Sequence, residues 1–207
     1  MHYELIKVCG MRKADNIREV ESAALHSSLS LMGFIFWPKS SRYVSERPAY
    51  LPTKCKRVGV FVDENIETVR RITDEYALDY IQLHGHESPE YCAQLQGLHL
   101  IKAISVGGRD DIAAYKDYED CVDYFLFDTK CPSVGGSGQQ FDWSVLSAYD
   151  GRTPFLLSGG IGHDDAQRLR AFRHEKCIGI DLNSRFELAP GMKDVAALRH
   201  FLSQLNP

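Results

Sequence analysis

No run in these 207 residues approaches the uninterrupted apolar length of a membrane span. The opening stretch, MHYELIKVCGMRKADN, has charges inside it and no signal-peptide core, so the expected location is cytoplasmic. There is no linker, no low-complexity tract and no shift in composition, so residues 1–207 are expected to form one domain. Charge of one sign is also lacking. The formal balance is −4, too weak to imply a nucleic-acid or acidic-membrane partner. The six cysteines (Cys9, Cys55, Cys92, Cys121, Cys131, Cys177) form no CxxC pair, which argues against a zinc site or a disulfide-built fold and for reduced thiols. Histidines are scattered too; the one close pair, His84-Gly85-His86, reads first as a polar loop after a strand.

What the chain does have is a rhythm. Short apolar runs rich in β-branched and aromatic residues recur: ELIKV, LMGFIF, RVGVFV, YIQL, LIKAI, YFLFD, PFLLS and IGIDL. Several are apolar at successive positions, as parallel strands covered on both faces require. Helical spacing lies between them: Ile17, Val20 and Ala24; Val69, Ile72, Thr73 and Tyr76; Val195, Leu198, Leu202 and Leu205. Asn65 and Ser88 stand where helix N-caps belong. The segment SSRYVSERPAYLPTK holds Pro48 and Pro52 and leaves room for only a short helical turn. Alternation of this kind fits a (β/α)8 barrel or a doubly wound open sheet, and a count of eight favours the barrel. In both, ligands bind at the carboxyl ends of the strands.

The residues at those ends carry chemistry. Cys9 and Gly10 follow the first run, Lys39 and Arg42 the second, His84 the fourth, and Asp128 closes the sixth. SGGIG (Ser158 to Gly162) follows the seventh, and Asp181, Asn183 and Ser184 lie at the eighth. The glycines of SGGIG suit a phosphate approaching backbone amides; a tight turn needing positive φ is the plainer reading. Barrels often bind phosphate after their last two strands, so the matching position of DLNS favours phosphate. GGSG (Gly135 to Gly138) sits in a long connection and reads as a lid or a flexible loop. Asp128 ends an apolar run, and an apolar mouth would push its pKa up, toward a general acid. Arg42 is either a fork for a substrate carboxylate or a surface arginine. Cys9 is either filler or a base opposite Asp128; Lys7 shares its face only if the strand stays regular.

Taken together, KVCGMRKADNI, MGFIFWPKSSRYVS, VGVFVDEN, QLHGHESPEY, KAISV, FLFDT, GGSGQQFDW, PFLLSGGIG and PGMKD resemble, in order and from end to end, the phosphoribosylanthranilate isomerase family of tryptophan biosynthesis. The resemblance implies a cofactor-free, metal-free (β/α)8 barrel acting on a small phosphosugar, as a monomer or homodimer. The implied reaction is the Amadori rearrangement of N-(5-phosphoribosyl)anthranilate to 1-(o-carboxyphenylamino)-1-deoxyribulose 5-phosphate. It places Cys9 on the family's general base and Asp128 on its general acid. Arg42 falls on the arginine for the anthranilate carboxylate and Asp181 on the acidic group near the anthranilate amine. Gly159, Gly160, Asn183 and Ser184 fall in the phosphate-binding turns. One departure stands out: the common family run Ser-Ser-Gly-Val-Glu after the eighth strand is here NSRFE, with Arg185 in place of glycine.

Two other readings stay open. Another phosphosugar barrel, an epimerase or an indoleglycerol-phosphate synthase, would call for metal-ligating histidines or a different Lys/Glu set, neither of which stands at the strand ends. A catalytically silent phosphosugar-binding protein would need neither a thiol nor a free acid. No doubled phosphate motif is present, so one substrate is expected.

Overall fold

The computed structural model describes residues 3–23, 29–130 and 140–205. The GGSG segment and Cys131 lie outside the described residues, as does Ala24.

All eight apolar runs are strands: β1 Leu5–Val8, β2 Leu29–Ile35, β3 Lys56–Phe61, β4 Tyr80–Leu83, β5 Leu100–Val106, β6 Tyr124–Thr129, β7 Phe155–Leu157 and β8 Cys177–Leu182. They close a barrel in sequence order, with β8 pairing in parallel to β1. The open-sheet alternative is thereby excluded. Strand side chains alternate between faces, which splits the core in two. The smaller part fills the barrel interior with Leu31, Val58, Ile101, Ala103, Leu126 and Leu156. The larger part lies between the barrel and its outer layer.

The outer layer is less helical than the alternation implied. Five α-helices are present among the described residues: α1 Ala14–Ala23, α2 Ile66–Tyr76, α3 Pro89–Gln94, α4 Ala166–Ala171 and α5 Val195–Leu205. Asn65 and Ser88 cap α2 and α3, accepting from the Thr68 and Tyr91 amides. The crossovers after β5 and β6 use 3-10 turns, Arg109–Asp117 and Trp143–Ala148. The proline-bearing β2–β3 connection has no helix at all. Its backbone is satisfied from α1 instead, where Glu21 accepts from the Thr53 and Lys54 amides at 2.7 and 2.6 Å.

One element was not anticipated. Glu187–Ala189 (β9) and Met192–Lys193 (β10) form a two-stranded hairpin around Pro190-Gly191. Asn16 of α1 fastens it, donating to the Lys193 carbonyl at 3.0 Å and accepting from the Lys193 amide at 2.8 Å. That clasp brings the last strand pair over the end of β1, where Cys9 lies.

Candidate active site

Against β8 the register of β1 is unbroken, while against β2 it shifts between Ile6 and Lys7; Lys7 is fully buried and sits opposite Asp181. Lys7 Nζ meets Asp181 Oδ1 at 3.0 Å. Burial alone would lower the Lys7 ammonium, but Asp181 and Cys9 outweigh it and hold the pKa above its ordinary value. Burial raises the Asp181 carboxyl, against the pull of Lys7 and with added repulsion from Asp128.

Cys9 lies one step above Lys7 and is buried, its amide donating to the Leu182 carbonyl at 2.9 Å. Its thiol fits because β2 carries Gly33 beside it. A methyl at Gly33 would stand 2.7 Å from Cys9 Sγ. Gly10 follows with φ +78°, and a side chain there would run into Arg42 Cδ and Asn183 Oδ1, both at 2.8 Å. Burial pushes the Cys9 thiol up; the Lys7 ammonium opposes this, Asp181 adds to it, and Lys193 opposes it again.

Across the mouth, Asp128 accepts from the Thr129 amide at 2.9 Å and faces His84 Nε2 at 3.3 Å. The surroundings expected to be apolar therefore include an imidazole. His84 in turn has its Nδ1 at 2.8 Å from Gln82 Nε2. His84 lies in the polar loop just after β4, as read, with its ring turned toward Asp128. The period-two rule on YIQLH was the available signal, since Tyr80, which packs with the barrel interior, shares parity with Gln82 and His84.

Arg42 is no surface arginine. Its Nε reaches the two Glu187 carboxylate oxygens at 3.0 and 2.9 Å, and Nη2 reaches Oε2 at 2.7 Å. Lys193, buried, meets Glu187 Oε1 at 2.7 Å and Asn183 Oδ1 at 2.7 Å. Burial works to raise Glu187, yet Arg42 and Lys193 keep it below the usual carboxylate range. Burial lowers the Lys193 ammonium in spite of Glu187. Neither Glu187 nor Lys193 was singled out from sequence.

Gly159 and Gly160 both take positive φ, +89° and +65°. The neighbouring turn, Asn183 to Arg185, is tied to this one by His163 Nε2, which donates to the Arg185 carbonyl at 2.6 Å. Asn183 spends its side-chain oxygen on Lys193. Arg185 lies over the first turn: a Cβ at Gly162 would be 3.1 Å from its Nε. No carboxylate pairs with Arg185 among the described residues. No group of three or more His, Cys, Asp or Glu side chains among the described residues could hold a metal ion.

A family model for N-(5'-phosphoribosyl)anthranilate isomerase matches residues 6–204. This chain belongs to that family. It is similar to the isomerase of Phocaeicola vulgatus, 51% identical over 204 residues, spanning 98% of each chain. A solved isomerase structure from Thermotoga maritima shares 30% identity and a TM-score of 0.84 over 99% of this chain and 98% of that one. A further isomerase structure, in complex with reduced 1-(o-carboxyphenylamino)-1-deoxyribulose 5-phosphate, gives 27% identity and a TM-score of 0.81 with the same coverage. The chain is an isomerase of tryptophan biosynthesis, and its reaction is the Amadori rearrangement of N-(5-phosphoribosyl)anthranilate. No helix among the described residues is long and apolar enough to cross a membrane.

Proposed function

We propose that Cys9 and Asp128 are the acid–base pair with which this family member performs the rearrangement. The observation that carries the reading is their placement: both project inward at the mouth, from β1 and β6, on different sides of the barrel. Asp128 protonates the furanose ring oxygen. The C1–O bond breaks, and the anthranilate nitrogen lone pair forms a C1=N iminium. Cys9, as thiolate, takes the proton from C2, and those electrons become the C1=C2 bond of an enolamine while the nitrogen recovers its lone pair. Tautomerisation moves the C2 hydroxyl proton to C1 and leaves the ketone. Neither proton transfer needs a group beyond these two.

The buried thiol is a poor base before substrate arrives, since burial raises it. The iminium formed by ring opening supplies a positive charge next to it, and an adjacent cation favours thiolate. Asp181 is placed to balance that cation, and Lys7 opposes the rise that burial imposes on its carboxyl. Arg42 offers Nη1, which has no partner among the described residues, to the anthranilate carboxylate; Glu187 fixes the guanidinium plane. The phosphate lies between Gly159-Gly160 and the Asn183-Ser184 turn, with Arg185 alongside.

The test is a coupled fluorescence assay with phosphoribosylanthranilate generated in place. Cys9→Ala and Asp128→Asn are expected to lose about 10²–10⁴-fold in kcat while remaining folded. A Cys9→Ala variant near full rate would remove the thiol from the mechanism. An inactive wild type that still binds inorganic phosphate would favour the silent binder.

A further inference from the structure

We infer that Gln82 is a positioning residue whose side-chain amide turns to match the protonation state of the His84–Asp128 pair. The inference rests on the reading of Asp128 as the acid.

Gln82 is buried on β4, two residues before His84 and therefore on the same face. Its Nε2 stands 2.8 Å from His84 Nδ1, and His84 Nε2 stands 3.3 Å from Asp128 Oδ2. The three side chains form a file from the barrel interior to its mouth. The other end of the amide is unusual: Gln82 Oε1 is buried and has no hydrogen-bond partner among the described residues. A buried acceptor left unmade is costly, so it calls for an explanation.

A primary amide carries a donor at one end and an acceptor at the other. With Nε2 donating, His84 Nδ1 is a lone pair, and a neutral ring holds its proton on Nε2, aimed at the Asp128 carboxylate. That is the arrangement after Asp128 has given up its proton. Before, Asp128 is a carboxylic acid whose O–H is directed at His84 Nε2 as a lone pair. The neutral ring then carries its proton on Nδ1, which Gln82 Oε1 accepts after a half-turn of the amide. Because Oε1 has no partner to lose, the half-turn breaks only the bond that it replaces. The empty acceptor is what makes the two states interchangeable. A carboxylate at this position would accept only, and a methyl-terminated side chain would do neither.

The charged groups around the pair are few. Asp181 on β8 acts on it, screened by Lys7 on β1. On the β5 side, Lys102 Nζ is bound to the Gly85 carbonyl at 2.7 Å and to Glu87 at 2.8 Å, which fixes the loop after His84.

The experiment compares Gln82→Met and Gln82→Glu with wild type by steady-state kinetics across pH. It adds ¹⁵N NMR of the His84 ring in the unsubstituted enzyme. Expected for Gln82→Met is a fall in kcat of about tenfold with KM within about twofold of wild type, because buried Gln82 acts through His84. Gln82→Glu is expected to hold a proton on Nδ1, leaving Nε2 as an acceptor that favours protonated Asp128, and so to move the descending limb of the kcat profile to higher pH, a change that Gln82→Met does not produce. In wild type at alkaline pH the ring should be the Nε2–H tautomer. Variants that share one lowered stability but keep the wild-type pH profile would overturn the inference, as would a wild-type ring found as Nδ1–H beside an ionised Asp128. If Asp128→Asn keeps its rate, the acid assignment fails first; if Asp128→Asn is dead and the Gln82 variants are indifferent, the fault lies with Gln82 alone.

Discussion

Gly33→Ala is the smallest change that separates a catalytic thiol from a packed one. The added methyl would stand 2.7 Å from Cys9 Sγ and 3.1 Å from Cys9 Cα. Ordinary contact needs roughly 3.5–4.0 Å, so the thiol must retreat by about 1 Å. Overpacking of this kind costs about 1–3 kcal/mol. Folding stability is typically about 5–15 kcal/mol, and replacing a strand glycine returns a fraction of the loss, so the variant folds. The rate is another matter. A reacting group displaced by about 1 Å loses on the order of 100-fold. The assay is kcat from the coupled fluorescence measurement, read beside a thermal melt. The expected result is a large fall in kcat with a small fall in Tm. Adding Gly33→Ala to Cys9→Ala should then cost nothing further in rate, since the group it displaces is already gone. If Gly33→Ala turns over within about twofold of wild type while its Tm falls as expected, the methyl has been absorbed without consequence to the chemistry. Cys9 would then be filler, and another group would take the C2 proton.

The remaining predictions concern the charges around that thiol. The base must lose its proton to act, and burial holds Cys9 above its ordinary value, so kcat/KM is expected to rise with pH into the alkaline range. Lys193 pulls the thiol down, so Lys193→Met should move this ascending limb to still higher pH, as a pH–rate profile will show. Arg185→Gly restores the common family residue and removes a guanidinium that no carboxylate among the described residues pairs, beside the phosphate turn. It is expected to raise KM about fivefold to tenfold, roughly 1–1.4 kcal/mol, with kcat little changed; an unaltered KM would place Arg185 outside the site. Glu87→Gln leaves Lys102 as a buried cation without its carboxylate, and breaking such a pair costs about 3–5 kcal/mol. Denaturant unfolding should show the loss, with part of it recovered in the Glu87→Gln/Lys102→Met double variant.

Much of the molecule was legible because its information is local. Strand runs such as YIQL are bounded by their own composition, and Asn65 and Ser88 cap helices through contacts three residues away. The proline-bearing second crossover could be seen, for the same reason, to hold at most a short helical turn; it holds none. The 3-10 turns after β5 and β6 were harder, because the choice between helix types is made by packing and not by spacing alone. Lys7 was ambiguous until its register against β8 was known, since one slip turns every side chain to the other face. The Arg42–Glu187–Lys193 cluster was beyond local reading. Arg42 and Glu187 are 145 positions apart, and they meet because a hairpin around Pro190-Gly191 folds back over β1. The loop position of His84 was legible, but its contact with Asp128, two strands away, was not.

The Lys7–Asp181 pair joins residues 174 positions apart, across the seam where the last barrel strand meets the first. On the ribosome the chain appears from its amino end at about 5–20 residues per second, so β1 waits roughly 9–35 s for its partner. Throughout that interval Lys7 has no counter-ion from β8, and Cys9 has no carbonyl from Leu182 to fix its backbone. An incomplete barrel therefore does not acquire partial activity as it lengthens. Translation errors that stop synthesis before Asp181 yield inert chains, and catalysis itself reports that the seam has closed.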